Sequence, residues 1–187
     1  EAKNIVNCAN RFYNLPEVKN SYMKYYENTS NDRILSRMEY FYNYDNFIKS
    51  LIDTKITPTL TTIVGEDMSL FKDKLNWKLP GGGAFKPHQD FEAWSDFPPQ
   101  YYATCAMFAD SCTEENGCLE MVENADKSGI LKNENGCIDK ELVDSFDWKK
   151  VLVSPTDLVI FNALVPHKSE PNKSNSTRRV FYFTYNK

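Results

Sequence analysis

From Ser69 onward the chain is a succession of short runs rich in β-branched and aromatic residues, each closed by turn formers: "LFKDKLNWKLP", "YYATCAMFAD", "GCLEMV", "KKVLV", "DLVIF" and "RRVFYFTYN". No other feature restricts the fold as much. Parallel neighbours in a sheet need crossovers of about a dozen residues or more, usually helical, and this half offers no long helical pattern. That argues against a doubly wound parallel sheet. Several short strands at this spacing predict a sandwich or barrel.

The stretch before it reads as helical, with loops. "LPEVKNSYMKYYEN" sets Pro16 where a first helical turn tolerates it, with Val18, Tyr22 and Tyr25 on one stripe. "NDRILSRMEYF" offers Asn31 or Asp32 as a cap and Ile34, Leu35, Met38 and Phe41 at helical spacing. "YDNFIKSLIDTKI" repeats the pattern with Phe47, Ile48, Leu51 and Ile52. The prediction is one domain over residues 1–187, mainly β with N-terminal helices. Residues 1–65 form a mostly helical support and residues 66–187 the β core.

The net charge of −4 argues against a general nucleic-acid binder. No apolar run approaches the ~20 residues that span a bilayer, so neither nucleic acid nor membrane is expected as a partner. Cys8, Cys105, Cys112, Cys118 and Cys137 lack the spacing of a zinc ribbon. They are expected as free thiols of a cytoplasmic protein.

The chain has only two histidines, His88 and His167. In "GGGAFKPHQD" the first stands two residues from Asp90. In a strand, i and i+2 share a face, so His88 and Asp90 project together while Gln89 points away. A second imidazole from another strand would complete two histidines and one carboxylate on one face of a metal, the arrangement of non-haem Fe(II) oxygenases. His167, after the strand-like "PTDLVIFNALVP", is the only histidine left to supply it. A zinc hydrolase could use the same three residues. The arginine eleven residues after His167, opening "RRVFYFTYN", favours iron, because a guanidinium can hold the carboxylate of a 2-oxo acid. Gly81–Gly83 lacks the Lys-Ser/Thr of a P-loop and reads as a flexible turn.

"KLNWKLPGGGAFKPHQD", "EENGCLEMV" and "PTDLVIFNALVPHKSEPNKSNSTRRVFYFTYN", in that order, resemble the phytanoyl-CoA dioxygenase family of Fe(II)/2-oxoglutarate oxygenases. "RILSRMEYF", the glycine run, "NGCIDKELV" and "RRVFYFTYN" resemble its 2-aminoethylphosphonate dioxygenase branch. The resemblance implies a double-stranded β-helix, a cupin-like jelly roll with helices against one sheet. It implies His88, Asp90 and His167 as iron ligands, with 2-oxoglutarate and O2 as co-substrates. It implies that Arg178 grips the far carboxylate of 2-oxoglutarate, helped by Ser169, with Thr104 a weaker candidate. Arg179 competes with Arg178, since alternation turns the two to opposite faces without saying which is inside.

For the substrate, the branch implies hydroxylation of 2-aminoethylphosphonate at the carbon bearing phosphorus. The alternatives are another small molecule, such as a trimethylated aminophosphonate, or a jelly-roll module without catalysis. Lys74, Asn76 and Lys78 share one face of a strand, opposite Leu75, Trp77 and Leu79. If the apolar face packs on the helices, Asn76 and Lys78 can reach substrate or co-substrate. Arg33 and Arg37, one helical turn apart, could reach over the mouth, and Lys86 is similar. For the ammonium, Glu92, Trp94, Tyr101 and Tyr102 lie near the ligands in sequence, and Glu120 is a further candidate.

Overall fold

The computed structural model describes residues 2–28, 33–97 and 101–187. In chain order its elements are α1 (Ala2–Asn14), β1 (Met23–Asn28), β2 (Arg33–Glu39), α2 (Asn46–Leu51), a π-helical stretch (Ile52–Ile56), α3 (Thr57–Val64) and β3 (Ser69–Lys78). There follow β4 (Phe85–His88), a short 3-10 helix (Asp90–Trp94), β5 (Tyr102–Phe108), β6 (Leu119–Val122), β7 (Asn133–Glu134) and β8 (Cys137–Ile138). The chain closes with α4 (Lys140–Ser145), β9 (Trp148–Val151), β10 (Leu158–Asn162), β11 (His167–Ser169) and β12 (Arg178–Asn186).

Six strands form a large antiparallel sheet in the order β1-β2-β3-β12-β5-β10, and four form a small one, β4-β11-β6-β9. From β3 on, the chain passes repeatedly between the two sheets, the mark of the predicted jelly roll. Alternation along β12 explains the layering. Phe181, Phe183 and Tyr185 pack with Ile5, Phe12, Phe41, Ile48 and Leu60 in a core between the large sheet and the helices. Val180 and Tyr182, on the other face, join Ala106, Phe108, Leu119 and Phe161 in a second core. Leu75 and Trp77 belong to the helical side, as expected. None of the described helices is long and apolar enough to cross a membrane. All five cysteines are free.

Two segments expected as helices are strands. "MKYYEN" and "RILSRME" are β1 and β2, and they extend the large sheet, so residues 1–65 contribute to the β core as well as supporting it. Pro16 lies in irregular chain after α1. Asn31 and Asp32, the expected caps, lie outside the described residues. The helix-like spacing has a physical cause. Tyr25 pairs with Arg37 and Tyr26 with Leu35, so Ser36 is the extra residue of a β-bulge. The bulge resets the alternation, and Leu35 and Met38, three apart, both face the helical core. Tyr25, Tyr26 and Ile34 suit strands, and pairing beside β3 overrides the periodic signal. "YDNFIKSLIDTKI" is helical as predicted. Asp45 caps α2, accepting from the amides of Phe47 and Ile48 at 3.0 Å each.

The glycine turn after β3 is held rather than free. The Gly81 amide donates to the Asn172 carbonyl at 2.9 Å and the Asn172 amide to the Gly82 carbonyl at 3.0 Å. The buried Asn172 side chain also donates to the carbonyls of Lys78 and Ser176. This clasp joins the end of β3 to the loop before β12.

Candidate metal centre and its pocket

β4 and β11 are antiparallel neighbours, and His88 and His167 are direct partners across them. The register alone thus sets the two imidazoles side by side, with ring centroids 4.2 Å apart. Asp90 opens the 3-10 helix just beyond β4. One ligand atom from each of the three residues lies within 4.8 Å of the others.

The donor set fits a divalent ion. The Nδ1 atoms face backbone carbonyls, His88 that of Lys86 at 2.7 Å and His167 that of Val165 at 3.0 Å. Those contacts fix the proton on Nδ1 and leave the Nε2 lone pairs free. Both Nε2 atoms stand 3.8 Å from Asp90 oxygens, His88 from Oδ1 and His167 from Oδ2. That is too long for a hydrogen bond and leaves room between them. Burial, reinforced by the neighbouring His88, pushes the His167 pKa down to about 4, so its imidazole is neutral and able to ligate. Burial pushes the Asp90 carboxyl up, but Lys74 and the two imidazoles outweigh it and hold the carboxyl below its usual range.

Gln89 does point away, and its side chain is fully used. Its amide donates to the carbonyls of Gly129 and Leu164, and its oxygen accepts from the Leu131 amide at 2.8 Å. It pins the segment between His88 and Asp90 to the loop ahead of β7 and to the turn before β11.

A cavity of about 240 Å³ opens on the triad. Its cationic lining is made by Arg37, Lys72 and Lys74 on one wall and by Lys168, which is paired with Glu120 and Glu170, with Asn76 beside the wall and Phe85, Trp94 and Tyr182 as aromatic surfaces. Buried Glu39 lies 3.4 Å from Arg37 and 3.1 Å from Lys72. Lys74 stands over the Tyr182 ring at 4.8 Å. The Asn76 Oδ1 atom is buried with no hydrogen-bond partner. Ser169 also lines the cavity.

Behind Ser169 lie Lys78 and Arg178, directly paired across β3 and β12 and almost fully buried. Lys78 Nζ donates to Ser169 Oγ at 2.7 Å and to the Glu170 carbonyl. Arg178 donates to the Gly117 carbonyl, and its Nε has no partner. Gly117 is glycine for a reason: with φ +70, a Cβ there would come within 2.2 Å of the Glu170 carbonyl oxygen. Arg179 faces outward, held by both oxygens of Asp110 at 2.6 and 2.7 Å and by Asn10.

The remaining expected residues divide. Arg37, Asn76 and Trp94 line the cavity. Arg33, on the opposite face from Arg37 because of the bulge, stacks on Tyr26 at 3.9 Å. Thr104 is bonded to Thr184 at 3.0 Å and does not line the cavity. Glu92 extends towards Gly136, and Tyr101 lies beneath Lys187. Tyr102 is buried against Phe71, Phe91 and Trp94. Glu120 pairs with Lys168 at 3.5 Å, and Lys86 contributes only its carbonyl to His88. Phe85, Ala93, Leu119 and Lys168 were not anticipated in the lining, nor were Lys72 and Tyr182. Alternation could have found both, Lys72 two residues before Lys74 and Tyr182 four after Arg178.

The family model for phytanoyl-CoA dioxygenase (PhyH) matches residues 13–180. A 2-aminoethylphosphonate dioxygenase from uncultured bacterium HF130_AEPn_1 is 37% identical over 190 residues, covering 100% of this chain and 72% of that protein. A methylphosphonate hydroxylase from Gimesia maris is 36% identical over 173 residues, 91% of this chain and 66% of its own length. Among solved structures, EctD from S. alaskensis in its apoform superposes with a TM-score of 0.83 at 17% identity, covering 99% of this chain and 68% of that one. These likenesses extend over the helices as well as both sheets.

Proposed function

The chain belongs to the phytanoyl-CoA dioxygenase family of Fe(II)- and 2-oxoglutarate-dependent oxygenases, and from that membership we propose that it hydroxylates 2-aminoethylphosphonate at the carbon bearing phosphorus. The observation that carries the substrate class is the wall of Arg37, Lys72 and Lys74 facing His88, Asp90 and His167 across one small cavity. A phosphonate leaving water for such a cavity needs charge partners there. Arg37 and Lys72 share the one buried carboxylate of Glu39, so the wall keeps a net positive charge for the ligand. Trp94 and Phe85 offer aromatic faces to the amino end.

His88, Asp90 and His167 hold iron(II). Bound there, the metal supplies the redox chemistry by which O2 and 2-oxoglutarate yield succinate, CO2 and a hydroxylated substrate. The protein's own part is geometric and electrostatic. The carbonyls of Lys86 and Val165 orient the imidazoles, and Gln89 fixes the turn that carries Asp90. Arg178 and Ser169 bind the far carboxylate of 2-oxoglutarate. Arg37, Lys72 and Lys74 orient the phosphonate, and the aromatic walls exclude water.

The test is a panel of small phosphonates, including methylphosphonate and N-trimethylated 2-aminoethylphosphonate, assayed for succinate formation that requires both Fe(II) and 2-oxoglutarate. Hydroxylated 2-aminoethylphosphonate, identified by mass, is the expected product. Turnover of methylphosphonate alone would transfer the assignment to that substrate, and turnover of no phosphonate would reject the class. His88→Ala, Asp90→Ala and His167→Ala should each lose bound iron and turnover while keeping the fold.

A further inference from the structure

We propose that the outer face of the β3–β12 pair carries a second binding site, separate from the metal centre, for a neutral, hydroxyl-rich ligand of the saccharide class. Alternation along β3 sends Lys74 and Asn76 to the cavity on the triad and Trp77 to the opposite face. There Trp77 pairs directly with Arg179 of β12. Residues from the last turn of α1 and from the loop before β12 join them around a cleft of about 430 Å³, lined by Tyr13, Asn14, Trp77, Asp110, Thr177 and Arg179. The cleft is larger than the cavity of about 240 Å³ on the triad, and it falls within the roughly 300–1,000 Å³ of small-molecule sites.

The fold leaves chemistry in this cleft unused. Trp77 is 4% exposed, and its indole Nε1–H is buried with no hydrogen-bond partner. A buried indole ordinarily has one, and a ligand oxygen in the cleft supplies it. Asn10 accepts from Arg179 through Oδ1 at 2.6 Å, and Asn14 donates to the Asn10 carbonyl at 2.9 Å. That leaves the Asn10 NH2 group and the Asn14 side-chain oxygen for a ligand. The loop on the other side is already in place, because Asn172 holds the Ser176 carbonyl at 2.7 Å.

These groups specify the ligand. The donors of Trp77 and Asn10, the acceptor of Asn14 and the Thr177 hydroxyl, which can do either, suit neighbouring hydroxyl groups. Arg179 and Asp110 neutralise each other through two contacts at 2.6 and 2.7 Å, so the lining offers no net charge to a phosphate or an ammonium. Tyr13 and Trp77 stand at 73° with ring centroids 5.7 Å apart. They form an aromatic corner for the apolar C–H face of a sugar ring. The site also has length. A shallower depression continues past Asn7, Asn10 and Asn14, which are exposed and spaced by single helical turns. The one charge in it, Arg11, is paired with Asp45. Asparagine is a poor helix former, so three of them on one exposed face weaken α1 without a packing gain. A carboxamide rail for a short chain of sugar rings accounts for them.

The experiment follows the indole N–H signals of Trp77, Trp94 and Trp148 in proton–nitrogen correlation spectra of the full chain, assigned through Trp→Phe variants. The probes are maltotriose, cellotriose and triacetylchitotriose. Glucosamine and glucose phosphate serve as charged controls, with glucose as their neutral reference. At least one trisaccharide should move the Trp77 signal saturably, with a Kd in the millimolar range or tighter, and leave those of Trp94 and Trp148 in place. Tyr13→Ala, which removes an exposed ring, and Trp77→Phe, which keeps a ring but not the donor, should each weaken binding about tenfold. Both are read from the backbone amides of Asn14 and Thr177. Iron-free His88→Ala should bind the trisaccharide within about twofold of wild type, because Trp77 faces away from the triad. The proposal is overturned by no saturable shift with any of the three trisaccharides, or by unchanged affinity in Tyr13→Ala. A charged control that binds more than about tenfold better than glucose, or binding lost in His88→Ala, overturns it equally.

Discussion

Replacing Arg178 by methionine should destroy co-substrate binding and yet leave the protein as stable as before, or more so. The side chain is 1% exposed, its Nε has no partner, and its nearest cation is Lys78. Methionine fills a similar volume without charge. The change removes the desolvation cost of a buried guanidinium and its repulsion with Lys78, several kcal/mol together. Against that, the Gly117 carbonyl loses its donor, at about 1–3 kcal/mol. The balance is a gain of roughly 0–3 kcal/mol, in line with buried charges replaced by packed apolar groups. Urea denaturation of the metal-free protein, with the slope checked against wild type, measures it. Calorimetry should find 2-oxoglutarate binding weakened by about 2–5 kcal/mol. A loss of more than about 1 kcal/mol of stability at unchanged slope would refute the reasoning. It would mean that Arg178 is a structural residue already compensated in the empty protein.

Lys74→Gln and Arg37→Gln should each raise the phosphonate KM several-fold while leaving 2-oxoglutarate affinity within about twofold, measured by initial rates with each ligand varied in turn. Gln89→Leu leaves the carbonyls of Gly129 and Leu164 and the Leu131 amide unpaired. It should cost roughly 3 kcal/mol and lower the melting temperature by about 6–12 °C. Stability should also depend on pH through Lys78. Its folded pKa of about 7 lies below the ordinary lysine value of about 10.4, so between those values the unfolded chain binds more protons. Stability should therefore rise with pH across that window, by at most about 1.4 kcal/mol per unit from this group. The urea midpoints of Lys78→Met should show a flatter profile over pH 7–9.

The clustering of His88, Asp90 and His167 was legible because so few residues could serve. Two histidines and one HxD leave a single combination, and strand alternation put His88 and Asp90 on one side. The β half was legible for a related reason, since runs such as "RRVFYFTYN" have no other stable use. β1 and β2 were not, because the bulge at Ser36 writes a helical spacing into a strand. That error carried Arg33 onto the pocket side with Arg37. Which of Arg178 and Arg179 turns inward was not legible either, since alternation separates the two faces without naming the inner one. Asp110 and Asn10, far from Arg179 in sequence, decide it by holding that side chain outside. Glu92, Tyr101 and Tyr102 were chosen by closeness along the chain. The turn after Asp90 sends them to the β7–β8 hairpin, towards Lys187 and into a core.

The alternation of β12 also acts as an error check during folding. Moving the strand by one residue along β3 would bring Arg179 to the inner face in place of Arg178, and would turn Phe181, Phe183 and Tyr185 inward while Val180, Tyr182 and Thr184 met the helices. A chain with Arg178 misplaced would thus also have its largest rings on the wrong side of the sheet. The misassembled form is penalised by bulk hydrophobic burial long before any ligand is present. The inward position of Arg178 is selected by the same rings that build the helical core, on the opposite face of the sheet from the cavity.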